Sequence, residues 1–299
     1  MRKQLLVVVS LVVLVAMVLT ACGPREAELG TEENPIIWSF VPSQDTEEVL
    51  SGAQQVADLV TDRTGLVIRT NIATEYAGVI EAMCNNEAHM GALNTFGYIL
   101  GNERGCADVA IASVRYGTTF YTGQIIVGAN TGINSLEDLA GKTFCRPDPL
   151  STSGWIIPSI VMQAAGINPA TDLAQVVDAG GHDSVVTAVY NGDCDAGATF
   201  VDARGNVEDT LTDVKDLVLV LDVSPPIPND TISFATNFPP ELREQIVNAL
   251  LAIAADEAHL ETLRSTYSWT GLEAVDDSFY DPFRQTLDAA QVDIQGFMD

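Results

Sequence analysis

The sequence predicts an α/β protein of two lobes, each a mostly parallel sheet flanked by helices. Strand-like and helix-like segments alternate along the chain, the arrangement that builds parallel sheets. The alternation breaks at a long β-prone segment, Gly123 to Ala129, and then restarts. The chain has 299 residues, more naturally two cores than one, and no repeat of solenoid period is visible.

Ile36 to Val41 is an apolar, aromatic run that reads as a buried strand. Asp45-Thr46-Glu47-Glu48 then opens a helix with an acidic capping box, with apolar residues at Val49, Ala53, Val56 and Val60 and a stop at Gly65. Leu66 to Thr70 returns as a strand, Glu75 to Cys84 as a helix, His89 to Leu93 as a strand, Thr95 to Leu100 as a helix and Val109 to Val114 as a strand. Beyond the β-prone crossing, Ser135 to Lys142 is a capped turn that stops at Gly141. Thr143 to Cys145 is a strand, Thr152 to Ala165 a helix ended by Gly166, and a strand lies near Val176. A helix over Asp183 to Tyr190 and strands over Ala196 to Thr199 and Leu217 to Val220 follow. Thr231 to Ala235 is a strand, and an amphipathic helix runs from Pro239 to about His259. The economical division has two crossings, with residues 35–123 and 227–299 in the first lobe and 124–226 in the second.

The amino terminus sets the compartment. Arg2 and Lys3 precede an apolar run from Leu5 to Leu19, short for a membrane span and suited to a secretory signal. It closes on Leu19-Thr20-Ala21-Cys22, which resembles a bacterial lipobox. Residues 1–21 are therefore expected to be a signal peptide and Cys22 the lipid attachment, leaving an extracytoplasmic protein anchored to the bacterial membrane. Residues 22–34, polar and acidic with Gly and Pro, read as a tether.

Acidic residues number 41 against 14 basic ones, a net charge of −27. Such a field repels nucleic acid and anionic lipid, so no nucleic-acid partner is expected, and any anionic ligand must be held by local groups. Beyond Cys22 the cysteines are Cys84, Cys106, Cys145 and Cys194, an even number for an oxidising compartment. Spacing favours none of the three pairings. Cys84 with Cys106 and Cys145 with Cys194 are expected because each pair falls within one presumed lobe. With three histidines and no close Cys-x-x-Cys, neither a metal site nor a cofactor is expected.

Asp148-Pro149-Leu150-Ser151-Thr152-Ser153-Gly154-Trp155 carries the functional signal: three consecutive hydroxyls lie between Pro149 and an apolar helix-like run. The first N–H groups of a helix lack internal partners and sit at the positive end of its dipole, so hydroxyls clustered there suit a tetrahedral oxyanion. The plainer alternative is that Ser151 or Thr152 is only an N-cap.

The chain resembles the phosphate, phosphite and phosphonate substrate-binding proteins of ABC transporters, within the type II periplasmic-binding-protein fold. The resemblance rests on Trp38 to Ser43, Tyr76 to Ala82, Ser135 to Lys142, Asp148 to Pro158, Gly181-His182-Asp183 with Ala188-Val189, Asp193 to Ala198, and Ile227 to Asp230. It implies ligand capture in the interlobe cleft by a monomer, and delivery to ABC permease subunits. Ser151, Thr152 and Ser153 match the family's phosphonate-oxygen ligands, and His182 would reach the same oxygens from the side. Asp202 and Asp230 match acids that receive the amine of aminophosphonates, and Tyr76 and Tyr121 are the aromatic hydroxyls expected from the first lobe. The chain departs from the commoner pattern at Asn94-Thr95-Phe96-Gly97, where a small-residue loop is usual.

Rival readings remain open at this point. The fold serves many ligands, so a sulfonate binder or a sensor-associated module is an alternative. Ser151, His182 and Asp202 supply the residue types of a hydrolytic triad. The serine, however, lies in a Pro-flanked loop and not in a Gly-x-Ser-x-Gly elbow, so no enzyme activity is expected.

Overall fold

A computed structural model describes residues 27–297; the expected signal segment and Cys22 lie outside them. The first sheet has the order β13-β4-β12-β3-β1-β2 and the second the order β10-β6-β9-β7-β8. The strands of the first are β1 (Ile36–Phe40), β2 (Ile68–Ile72), β3 (Met90–Leu93), β4 (Ala107–Val114), β12 (Thr231–Ala235) and β13 (Gly271–Ala274). Those of the second are β6 (Gly123–Gly128), β7 (Thr143–Arg146), β8 (Gln175–Asp178), β9 (Ala196–Phe200) and β10 (Val218–Val223). The two crossings of the chain, β5 (Phe120–Tyr121) and β11 (Ile227–Pro228), pair only with each other as an antiparallel ribbon.

Each sheet is mixed. β1 pairs in parallel with β2 and β3, and β7 with β8 and β9. Of these, β2, β3, β8 and β9 are entered through helical crossovers, which return the chain in the same direction. β6 and β12, fed straight from the ribbon, run antiparallel to their neighbours.

Local signals explain the first lobe's helices. α1 (Thr46–Thr64) starts where the Asp45 carboxylate accepts the N–H groups of Glu47 and Glu48, and it ends at Gly65, φ 77°, a left-handed residue only glycine adopts freely. Its stripe of Val49, Ala53, Val56 and Val60 is fully buried. At roughly 1.5–3 kcal/mol per buried aliphatic side chain, the stripe outweighs the cap in holding the helix. α2 (Tyr76–Cys84) and α3 (Thr95–Glu103) follow β2 and β3.

The expected helix from Thr152 opens instead as a single π turn, Thr152–Ile156, which hands over to α4 (Ile157–Ala164). α5 (His182–Asn191) precedes β9, and the short α6 (Val214–Leu217) precedes β10. The helix expected from Pro239 to about His259 ends early, as α7 (Pro240–Ala254), because the Asp256 carboxylate accepts the Ala258 N–H and starts a new turn; α8 (Leu260–Tyr267), beyond the expected helix, follows that turn. α9 (Asp281–Ala289), β13 and the β5–β11 ribbon had no counterpart in the sequence reading. No helix among the described residues is long and apolar enough to cross a membrane.

The first lobe has one core around Trp38, Phe40, Phe96 and Trp269, and it also takes in Leu150, Ile156 and Ile157 of the second lobe. The loop over residues 148–155 and the turn after it are thus packed into the opposite lobe, the arrangement of a closed cleft. Two smaller clusters form the rest of the second lobe's core, one around Phe144 and Met162, the other around Val185, Val186 and Val218. Disulfides join Cys84 to Cys106 and Cys145 to Cys194.

The Cys145–Cys194 bridge closes a loop with a sequence separation of 49. Chain entropy assigns such a loop about 4 kcal/mol. Replacing both cysteines with Ala is expected to lower the urea-unfolding free energy by up to this amount, measured against the wild type under non-reducing conditions.

Candidate anion-binding cleft

The anion loop is set by its own hydrogen bonds. Asp148 Oδ1 accepts the Leu150 N–H at 2.7 Å, folding the chain back so that Ser151 becomes the N-cap of the π turn, its Oγ accepting from Gly154 N at 3.2 Å. A side chain at Gly154 would put its Cβ 2.3 Å from Pro147 Cδ, so the close turn requires glycine there. Ser151 therefore caps the turn and still has its hydroxyl proton to give. Thr152 Oγ1 accepts two donors of the first lobe, Asn94 Nδ2 at 2.8 Å and Phe96 N at 2.9 Å.

Ser151, Thr152 and Ser153 line one cavity together with Tyr76, Tyr121, His182 and Asp230. The three hydroxyl residues are 1–2% exposed. The cavity volume is about 20 Å³, against the roughly 10–15 Å³ on this measure that one water needs. It holds a small solute only.

His182 begins α5, and its backbone N–H donates to Ser43 O in the first lobe at 2.9 Å. Its ring packs on Phe200 with centroids 4.7 Å apart, and Nδ1 is buried without a partner among the described residues. Burial, and secondarily the Arg115 charge, lower its pKa to about 3. The ring is neutral at physiological pH and offers an anion one N–H. Burial raises the Tyr76 and Tyr121 hydroxyls well above their usual pKa, so both are protonated donors.

Asp230 forms a buried ion pair with Arg115, the two side chains being 14% and 12% exposed. Burial pushes the Asp230 carboxyl up, and the adjacent guanidinium opposes the shift. Arg115 Nε is buried without a partner among the described residues. The lining thus carries one positive and one negative group that cancel, and the remaining donors are neutral.

Asp202 stands apart from this cavity. Its carboxylate accepts from Arg204 Nη2 at 2.7 Å and Nε at 2.9 Å and from Gln124 Nε2 at 3.0 Å, while Arg204 Nη1 donates to Val218 O. It clamps the segment after β9 to β6 and β10. The Asp202-Ala203-Arg204 spacing was the available signal for this local pair. It leaves no acid on His182, so the residue types of a triad are not assembled as one. Arg115, Asn94 and Phe200 also line the cavity and are not among the expected site residues, because nothing in their spacing aims them there. Among the described residues no group of three His, Cys, Asp or Glu side chains could hold a metal ion.

Two α/β lobes joined by a two-stranded ribbon, closing on a cavity of hydroxyl and N–H donors, have the form of a two-lobed solute-binding protein. The chain belongs to the family described as "ABC transporter, phosphonate, periplasmic substrate-binding protein", whose sequence pattern matches residues 38–280. The family binds substrate for a transporter and is not an enzyme. The chain is 29% identical over 217 residues to the phosphate-import protein PhnD of Mycolicibacterium smegmatis, covering 68% of this chain and 67% of that one. It is 26% identical over 274 residues to the phosphonates-binding periplasmic protein of Escherichia coli, covering 89% and 79%. In three dimensions it is similar to a binding protein component of an ABC phosphonate transporter from Pseudomonas aeruginosa, with a TM-score of 0.79, 21% identity and coverage of 86% and 87%. It is also similar to PhnD1 from Prochlorococcus marinus in complex with methylphosphonate, with a TM-score of 0.76, 13% identity and coverage of 86% and 98%.

A histidine held neutral has a consequence for stability. The folded pKa lies below the unfolded value near 6.5, so the unfolded chain takes up a proton first as pH falls, and the stability present above pH 6.5 is lost below it. Between pH 7 and pH 5 the cost is about 2 kcal/mol. Ligand-free His182→Gln is expected to lose about that much less than the wild type over the same interval, measured by urea unfolding at the two pH values.

Proposed function

We propose that the protein is the lipid-anchored receptor of an ABC importer that captures a small phosphorus oxyanion without an amine arm, by closing its lobes about the β5–β11 ribbon. The observation that carries this reading is the closed, nearly charge-balanced cavity of hydroxyl donors, Ser151, Thr152, Ser153, Tyr76 and Tyr121, beside neutral His182. Each charge-assisted bond from such a donor contributes roughly 1.5–3 kcal/mol. About five of them, less desolvation and ordering costs, leave the ~8 kcal/mol of a micromolar ligand.

An amine is disfavoured because each expected acid already has an arginine as its counter-charge. Asp202 is neutralised by Arg204, and Asp230 Oδ2 by Arg115. No protein donor among the described residues is bonded to Asp230 Oδ1. That oxygen favours a ligand that brings one proton, a P–OH, or else holds the proton itself. Phosphate, phosphite and methylphosphonate can share a proton in this way near neutral pH; sulfate and sulfonates bring none. The lobe division at residues 123/124 and 226/227, action as a monomer with permease subunits, and anchoring through Cys22 belong to the same proposal.

Titration calorimetry is expected to give the unaminated phosphorus acids at least ~10-fold tighter binding than 2-aminoethylphosphonate or methanesulfonate. Their affinity should fall as pH rises and the shared proton is lost. In Asp230→Asn that pH dependence flattens. Tightest binding of the aminophosphonate would overturn the ligand assignment, and binding of none of these acids would overturn the transport reading.

Anchoring has its own test. In a bacterial host that processes lipoproteins, the wild type is expected in the membrane fraction, released by detergent. Cys22→Ser should fractionate without the lipid modification, as read by mass spectrometry of the mature amino terminus.

A further inference from the structure

Asn94 follows β3 and occupies the N-cap position of α3, yet its side chain makes no capping bond. An Asn there ordinarily accepts from the N–H two or three residues on. Here its amide is turned toward the other lobe, where Nδ2 donates to both Leu150 O and Thr152 Oγ1 at 2.8 Å. The orientation is fixed chemically: a carbonyl only accepts, so the group facing Leu150 O must be the NH₂. The cap of α3 comes from the second lobe, because Thr152 Oγ1 accepts the Phe96 N–H, the second helical N–H of α3.

Thr152 Oγ1 therefore receives two N–H donors. A hydroxyl oxygen has two acceptor positions and one proton, so in the closed cleft Thr152 has only its proton left to use. No protein acceptor among the described residues is bonded to that proton. The residue lines the cavity and is 1% exposed, so the cavity is where an acceptor must be.

We infer that Asn94 is a positioning residue: by occupying the acceptor side of Thr152 on closure, it makes that hydroxyl an obligate donor to the bound oxyanion. The inference rests on the proposed function and adds the coupling between lobe closure and anion recognition. With the cleft open, Thr152 is an ordinary hydroxyl, equally able to accept from water or from a ligand's own donor. Closure removes that accepting role. Asn94 is thus part of the specificity of the site.

The test is a double-mutant cycle on the full mature domain, using whichever of phosphate or methylphosphonate the wild type binds more tightly. Dissociation constants and stopped-flow rates are measured, with ligand-free melting as the folding control. Asn94→Ala is expected to weaken binding ~10-fold, mainly through faster dissociation. Thr152→Val should weaken it more, and the double variant should lie within ~3-fold of Thr152→Val alone, since Asn94 acts through the hydroxyl. Thr152→Ser, which restores the hydroxyl, should bind at least ~10-fold more tightly than Thr152→Val. Asn94→Ala within ~2-fold of the wild type, or a loss that multiplies in full with that of Thr152→Val, overturns the inference. If Asn94→Ala does not fold, equal affinities for Thr152→Ser and Thr152→Val overturn it. Failure of the proposed function appears separately, as a wild type that binds neither ligand.

Discussion

An anion enclosed in a cleft loses its water, and everything in this site answers that loss. The effective penalty for desolvating an ion in a protein is several kcal/mol, and this chain adds the repulsion of a −27 net charge. A surplus buried cation would meet the ligand at the cost of its own desolvation in the empty protein. The fold uses a balanced pair, Arg115 with Asp230, and surrounds the cavity with neutral donors that can be buried cheaply because each is anchored elsewhere. Ser151 caps the π turn, Thr152 caps α3 and His182 begins α5, so helix ends supply the site.

The π turn follows from the same requirement. An ordinary α-helical start at Thr152 would bind successive N–H groups back into the helix within four residues. The wider turn over Thr152–Ile156 has both Trp155 N and Ile156 N reaching the Ser151 carbonyl, at 2.9 and 3.0 Å. That geometry leaves the hydroxyls of residues 151–153 on one side, toward the cavity. The turn is held from both lobes. Trp155 lies under the Arg146 guanidinium at 4.4 Å and near Phe144, and Ile156 is in the first lobe's core.

Much of this was legible in the sequence because it is local. The Asp45 cap, the stripe from Val49 to Val60, the stop at Gly65 and the hydroxyl loop are written within a few residues of where they act. The mixed character of the sheets was not, since strand direction in β6 and β12 is decided by which lobe the chain arrives from, and that is a property of the whole path. Asp202 was read as a cleft acid through resemblance, while its partner Arg204 stood two residues away. Arg115 and Asn94 escaped for the opposite reason. Their partners Asp230 and Thr152 lie 115 and 58 residues distant, and no spacing rule joins them.

The placement of the cleft residues along the path also bears on how closure works. Tyr121 lies in β5, while Asp230 follows β11 and Arg115 is only a few residues before β5. They lie at the crossings, where two strands of two residues each join the lobes and rotation disturbs the fewest packed side chains. Arg115, Asp230 and Tyr121 thus sit beside the ribbon about which the proposed closure turns. Tyr76 and Asn94, on the first lobe, and Ser151 to Ser153 and His182, on the second, are farther along the chain from it and must converge. The bonds from Tyr76 N to Asp148 and from Asn94 and Phe96 to Thr152 exist only when they have done so. In the proposed closure the site therefore has a part beside the ribbon that can meet an entering anion and a part, divided between the lobes, that completes its donors as they meet.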